Sequence, residues 1–130
     1  MNQVKISIIM PVYNDGYVIE ESLNSVMNQT LEDIEIICVN DGSTDNSLEI
    51  LKNYQSKYGD MIKIFNQENM GSGIARNNAM KYAIGEYIAF LDSDDIFIDK
   101  NALKKMYDVA IKNKADMVSA NLKVNDTDGK

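Results

Sequence analysis

Three carboxylates fall within four positions at Asp92-Ser93-Asp94-Asp95, directly after the apolar run Tyr87-Ile88-Ala89-Phe90-Leu91. Like charges this close repel one another, and folding gains nothing obvious from them. A hard divalent cation would relieve the repulsion, and magnesium and manganese take oxygen ligands. A solvated acidic turn leading into the next helix is the plainer account of the same residues. Three other loops carry chemistry. In Asn40-Asp41-Gly42-Ser43-Thr44-Asp45, Asp-Gly makes a turn and Ser43 or Thr44 is placed to cap a helix. Capping does not account for Asp41, which precedes the turn. A carboxylate there can accept a hydrogen bond from a flat donor such as the imide N–H of uracil. Gly71-Ser72-Gly73, before Ile74-Ala75-Arg76, could cradle a phosphate at a helix N-terminus. It could equally be a loop that lets the helix pack closely. It is not G-x-G-x-x-G, since Arg76 stands where the third glycine belongs, and it lacks the P-loop lysine. Arg76, one turn into that helix, can reach a base carbonyl, a phosphate or an acidic group. Tyr13, after Pro11-Val12, can stack on a nucleobase or simply pack.

Composition narrows the chemistry. The chain has 130 residues, 45% of them hydrophobic, enough for one domain with a real core. The net charge of −7 argues against nucleic acid as a partner. No block of Lys and Arg favours an anionic membrane surface. There is no histidine, which removes imidazole acid–base chemistry, Ser-His-Asp and Cys-His catalysis, and the usual zinc sites. Cys38 is the single cysteine and reads as a buried small hydrophobe, in keeping with a reducing, cytoplasmic compartment. No segment approaches the roughly 20 apolar residues of a membrane span.

Strand and helix patterns alternate to position these loops. Strands are expected over residues 5–12, 34–39, 61–65 and 86–91, with a weaker fifth at Asp116–Ala120. Between them lie four helical patterns. The first runs from about Gly16, with Ile19, Leu23, Val26 and Met27 on one stripe. Leu48, Leu51, Tyr54 and Tyr58 mark the second, and Ala75, Ala79, Tyr82 and Ala83 the third. Leu103, Met106, Tyr107, Ala110 and Ile111 mark the fourth. Asp99 is placed as its N-cap, with Ile98 and Leu103 spaced for a hydrophobic staple. Such repetition predicts an α/β fold: a mostly parallel open sheet of alternating β-α units with helices on both faces. The first, second and fourth strands are nearly all apolar, as for strands covered on both sides. Residues 1–124 form the domain and 125–130 a polar tail. Ligands of such sheets bind outside the carboxyl ends of the strands, where the four loops should meet.

Four blocks together resemble a known family. They are Ser7-Ile8-Ile9-Met10-Pro11-Val12-Tyr13-Asn14, Val39-Asn40-Asp41-Gly42-Ser43-Thr44-Asp45, Asn69-Met70-Gly71-Ser72-Gly73-Ile74-Ala75-Arg76-Asn77, and Phe90-Leu91-Asp92-Ser93-Asp94-Asp95. In order and spacing they are similar to the inverting family 2 glycosyltransferases of the GT-A, Rossmann-like fold. The resemblance implies transfer of a sugar from a nucleoside-diphosphate donor, a UDP-sugar, to an acceptor hydroxyl with inversion, of the kind used in polysaccharide biosynthesis. It implies that Pro11, Val12 and Tyr13 line the base pocket, that Asp41 holds the base imide, and that Arg76 faces base and cleft. Asp92-Ser93-Asp94 becomes the family's D-x-D motif. Asp92 meets the ribose hydroxyls, Ser93 belongs to the nucleotide site, and Asp94 binds Mn2+ or Mg2+.

The family's catalytic domains are longer than this chain, and their second half supplies a catalytic carboxylate and the pocket for a saccharide or lipid-linked saccharide acceptor. No catalytic base is expected before Lys130, so the chain reads as the nucleotide-sugar-binding half, inactive in transfer by itself. Membrane association is left to regions absent here. Two other readings use the same residues. An aspartate-nucleophile phosphohydrolase also ends an apolar strand in Asp-x-Asp, but needs a lysine and an acidic pair well downstream. A non-catalytic sugar-nucleotide-binding module needs no base at all.

Overall fold

The isoleucine-rich runs become the inner strands of a four-stranded parallel sheet in the computed structural model, which describes residues 3–113. The elements run β1 (Ile6–Val12), α1 (Ile19–Met27), β2 (Ile34–Asp41), α2 (Ser47–Tyr58), a 3-10 turn (Gly59–Met61), β3 (Ile62–Gln67), α3 (Ser72–Met80), β4 (Tyr87–Phe90) and α4 (Ala102–Lys112). The strand order is β3-β2-β1-β4. Every residue of β1 and β2 is buried, as continuous apolar runs require when both faces are covered.

Alternate residues of β1 serve different layers. Ile6, Ile8, Met10 and Val12 pack with Ile19, Leu23 and Val26 of α1, Ile50 and Leu51 of α2, and Leu103 near the start of α4. Ile9 faces the other way, with Ile37 and Val39 of β2 against Ala75 and Ala79 of α3. Thus α1, α2 and α4 cover one face and α3 the other. Small residues on α3 let it lie close across β1 and β2 as the chain crosses from β3 to β4. That crossing reverses the strand order, and the crevice it opens lies at the carboxyl ends of β1 and β4.

Some expected details differ. A turn closes first over Gly16–Val18, with the Val18 and Ile19 N–H groups on the Asp15 carbonyl, and α1 begins at Ile19 rather than Gly16. α3 stops at Met80, and Tyr82 lies beyond it, stacked on Phe65 with centroids 4.2 Å apart. β4 lies at the sheet edge among the described residues, and Phe90 is 45% exposed, so this strand is not covered on both sides there. Asn101, not Asp99, stands at the α4 cap. Asp99 instead closes a preceding turn, its Oδ1 accepting the Asn101 N–H at 2.8 Å. Ile98 stays exposed, so it is not the buried partner that a staple needs. The expected strand at Asp116–Ala120 and the tail 125–130 lie outside the described residues.

Candidate functional site

Four strand tips build one cleft of about 430 Å3. β1 delivers Pro11, Val12 and Tyr13; β2 delivers Asp41; α3 contributes Arg76; the loop after β4 brings Asp92, Ser93 and Asp94. All eight residues singled out in the sequence line this cleft, although they come from segments far apart in the chain. Tyr13 is half exposed at the rim.

Asp41 is buried at the end of β2, and its carboxylate is mostly occupied. Oδ1 accepts the Gln67 side-chain amide at 2.8 Å and the Met70 N–H at 2.7 Å, while Oδ2 accepts the Gly71 N–H at 3.0 Å. Burial pushes its pKa up, but these three donors outweigh burial and hold it below the ordinary carboxylate value. A carboxylate has about four acceptor directions, so the three donors leave one on Oδ2 unused in a residue that lines the cleft. Asp41 therefore also shapes the loop between β3 and α3. Gly42, at φ +74°, turns the chain where a Cβ would stand 2.8 Å from the Asn69 nitrogen.

The acidic turn is built differently. Carboxylate oxygens of Asp92, Asp94 and Asp95 lie within 4.8 Å of one another, and Asp92 and Asp94 are exposed. Arg76 reaches Asp92 Oδ1 at 2.9 Å. Asp94, two residues on, keeps its carboxylate open to solvent. An all-oxygen, mostly solvent-facing donor set fits a hard cation such as Mg2+ or Mn2+. It does not fit zinc, for the chain has no histidine and Cys38 is buried within β2. Burial raises the Cys38 thiol pKa to about 12, which removes it as a nucleophile.

Sequence and shape both find relatives. The model of the family Glycosyl transferase family 2 matches residues 7–130. The chain belongs to this family. Its 123-residue match to the poly(ribitol-phosphate) beta-glucosyltransferase of Bacillus spizizenii is 48% identical and covers 92% of this chain but 19% of that protein. The crystal structure of S. aureus TarS 1-349 in complex with UDP superposes with a TM-score of 0.78 at 37% identity, over 85% of this chain and 33% of that one. The Pyrobaculum calidifontis mannosyltransferase PcManGT, in complex with GDP-Man and Mn2+, shares the fold at a TM-score of 0.73 and 24% identity, over 79% of this chain and 31% of that one. The family 2 chain thus spans a fifth to a third of the length of these relatives.

Of the glycine turn, Gly71 and Ser72 also line the cleft, and so do Asp15 and Asn69, to which sequence reasoning gave no role. That reasoning also misassigned the Ser43-Thr44 segment. Ser43 does not cap α2: its hydroxyl accepts the Asn14 N–H at 3.0 Å. The Thr44 N–H donates to Asn14 Oδ1 at 2.7 Å, and the Ser47 N–H finds Asp45 Oδ1 at 2.9 Å. In this family 2 chain the Ser43–Asp45 stretch clamps the loop after β1 to the loop after β2. A positive φ at Asn14 (52°) accompanies the clamp. Asparagine tolerates that conformation, which is the one local signal the sequence held. Among the described residues no helix is long and apolar enough to cross a membrane.

Proposed function

We propose that this chain binds a UDP-sugar and serves the donor side of a metal-assisted glycosyl transfer that inverts the anomeric carbon. The observation that carries the reading is the meeting, in one cleft, of a half-exposed tyrosine, a buried carboxylate with one acceptor direction left, and an acidic turn. The first two suit a uracil ring and its imide; the third suits a cation beside a diphosphate. TarS, at 37% identity, forms complexes with UDP and with UDP-GlcNAc, which supports uridine as the nucleoside.

Each residue has a distinct task in this reading. Tyr13 lays its ring against the base, with Pro11 and Val12 forming the wall beside it. Asp41 accepts the imide N–H. A cytosine ring presents an acceptor at that edge, so it leaves the carboxylate facing a lone pair. Arg76 holds Asp92, which turns toward the ribose hydroxyls. Asp94, with Asp95 beside it, holds Mg2+ or Mn2+. A bound ion supplies Lewis-acid stabilisation of the departing diphosphate. The acceptor hydroxyl, on a saccharide or lipid-linked saccharide, attacks the anomeric carbon opposite the diphosphate, and its proton passes to a general base. In this reading that base lies outside residues 1–130. The lone free cysteine fits a cytoplasmic site of action.

Calorimetric titration of the chain with UDP, in Mn2+, in Mg2+ and in EDTA, tests the reading. UDP should bind about 5–150-fold tighter with the ion, the usual range for coupled ligands. UDP binding indifferent to EDTA would count against the metal, and absent binding against the donor site. Incubation with UDP-sugars and acceptor saccharides should give no appreciable glycoside. Positioning of the acceptor is worth roughly 7–11 kcal/mol of barrier and a base about 10²–10⁴-fold.

A further inference from the structure

We infer that Asp15 is a positioning residue for the acidic turn, acting through the Ser93 hydroxyl to set how Asp92 and Asp94 face the cleft. Its consequence for ligand binding rests on the donor-binding reading; its geometry does not. Ser93 is 2% exposed, while the aspartates on either side of it point outward. A buried hydroxyl needs a partner, and the Ser93 hydroxyl donates to Asp15 Oδ2, 78 residues away in the chain. Ser93 is thus the inward anchor of an otherwise outward-facing turn, and Asp15 is what it is anchored to.

The mount beneath Asp15 is stiff. Its N–H donates to Ser47 Oγ at 3.1 Å, and its carbonyl accepts the Val18 and Ile19 N–H groups at 3.0 and 2.8 Å. On one side Asn14 donates its N–H to Ser43 Oγ. On the other, the Gly16 N–H meets Asp45 Oδ2 at 2.9 Å. The loop after β1 is therefore fixed to the start of α2 and passes that position to the turn after β4. A fourth carboxylate beside three others adds repulsion. Its retention there is explained by the acceptor it offers, which a neutral amide oxygen could also offer. A residue acting by direct ligation would need the charge instead.

This difference supplies the test. Asp15→Ala, Asp15→Asn, Ser93→Ala and the Asp15→Ala/Ser93→Ala double variant are made in the whole chain. Amide hydrogen exchange is followed without ligand at Asp95, whose N–H closes the turn onto the Asp92 carbonyl at 2.9 Å. Amides of Ile8 and Ile37, in the sheet core, report whether the fold persists. Asp15→Ala and Ser93→Ala should each speed exchange at Asp95 about tenfold, the effect of one lost hydrogen bond. The double variant should be no faster than either single, because both remove the same link. Asp15→Asn should stay within about twofold of the wild type. Manganese titrations at fixed UDP should follow the same order, with half-saturation moving upward in the two alanine variants and little in Asp15→Asn.

Unchanged Asp95 exchange in Asp15→Ala, with the core amides protected, would overturn the inference. So would Asp15→Asn as damaging as Asp15→Ala beside a silent Ser93→Ala, which is the pattern of direct ligation. If Asp15→Ala lost core protection, the Ser93→Ala and Asp15→Asn pair would still decide by the same criterion. A wild type that bound no UDP would sink the donor-binding reading and leave the exchange result to decide the coupling.

Discussion

Glu35 and the Asp92–Asp95 turn lie at opposite ends of one sheet, and the fold treats their charges in opposite ways. Glu35, near the start of β2, is 2% exposed. Its Oε2 accepts the Ser7 hydroxyl at 2.5 Å and the Ile84 N–H at 2.9 Å, and Lys63 Nζ stands 2.7 Å from Oε1. The Gly85 N–H closes the set on Ser7 Oγ at 2.8 Å. A Cβ at Gly85 would come 2.7 Å from the Ser7 nitrogen, so glycine is needed for that approach. Burial raises the Glu35 pKa, but the Ile84 N–H, the Lys63 ammonium and the Ser7 hydroxyl together hold it below its ordinary value. Two hydrogen bonds on Oε2 and the Lys63 ion pair on Oε1 tie β1, β2, β3 and the approach to β4. The acidic turn has Asp92 and Asp94 exposed, with Arg76 as the cation paired to Asp92. A carboxylate with its partners already built in holds the fold. Carboxylates held out in solvent, as Asp92 and Asp94 are, can be reached by a ligand.

Removing the satisfied charge should do the most harm to stability. Glu35→Ala leaves the Ser7 hydroxyl, the Ile84 N–H and Lys63 without their acceptor. It should cost about 1.5–3 kcal/mol in urea unfolding, the range for hydrogen bonds to a charged group. An unchanged midpoint would break the comparison. Asp41 stands between the two extremes, buried and mostly paired yet facing the cleft. In Asp41→Asn an amide N–H confronts the Met70 or Gly71 N–H. Stability should fall by about 1–3 kcal/mol, and the preference for UDP over CDP should shrink as well.

Acid should act more gradually and from the same end of the scale. The Glu35 and Asp41 pKa values are lowered by folding, so the unfolded chain binds their protons first as pH falls. Their stabilisation is complete above the ordinary values of 4.5 and 3.8 and is lost as pH drops below these through the folded ones. Unfolding free energy should therefore decline from about pH 5 downward. In Glu35→Ala the acid-sensitive part should shrink. At the small end, Asp94→Asn should change stability by no more than about 0.5 kcal/mol, with any shift upward as repulsion is relieved.

Much of this was legible in the sequence because periodicity carries it. Continuous apolar runs marked β1 and β2, and the Ala75–Ala79 spacing marked the close-packed face of α3. Asp41 and the acidic turn stood out because a charge at a strand tip has no role in the core. The fold-wide links left no such trace. Asp15 meets Ser93 across 78 residues and Asn14 meets Thr44 across 30, and no local pattern announces a contact made only when strands align. The same cause misplaced two caps. Ser43 and Asp99 are good capping residues by type, but Ser43 is engaged by the loop after β1. Asp99 is drawn into a turn one step earlier, where Lys105 also pairs with it at 2.7 Å.

The central claim is that the end of the sheet with the exposed acidic turn is the ligand site and that Asp94 holds its cation. Titration of UDP into the wild type and Asp94→Asn, each with Mn2+ and with EDTA, tests it most directly. The wild type should lose about 5–150-fold in UDP affinity when EDTA replaces the ion. Asp94→Asn should bind UDP equally weakly in both, with its unfolding midpoint intact. An Asp94→Asn chain that kept the full manganese effect, or a wild type that bound UDP identically with and without the ion, would contradict the account.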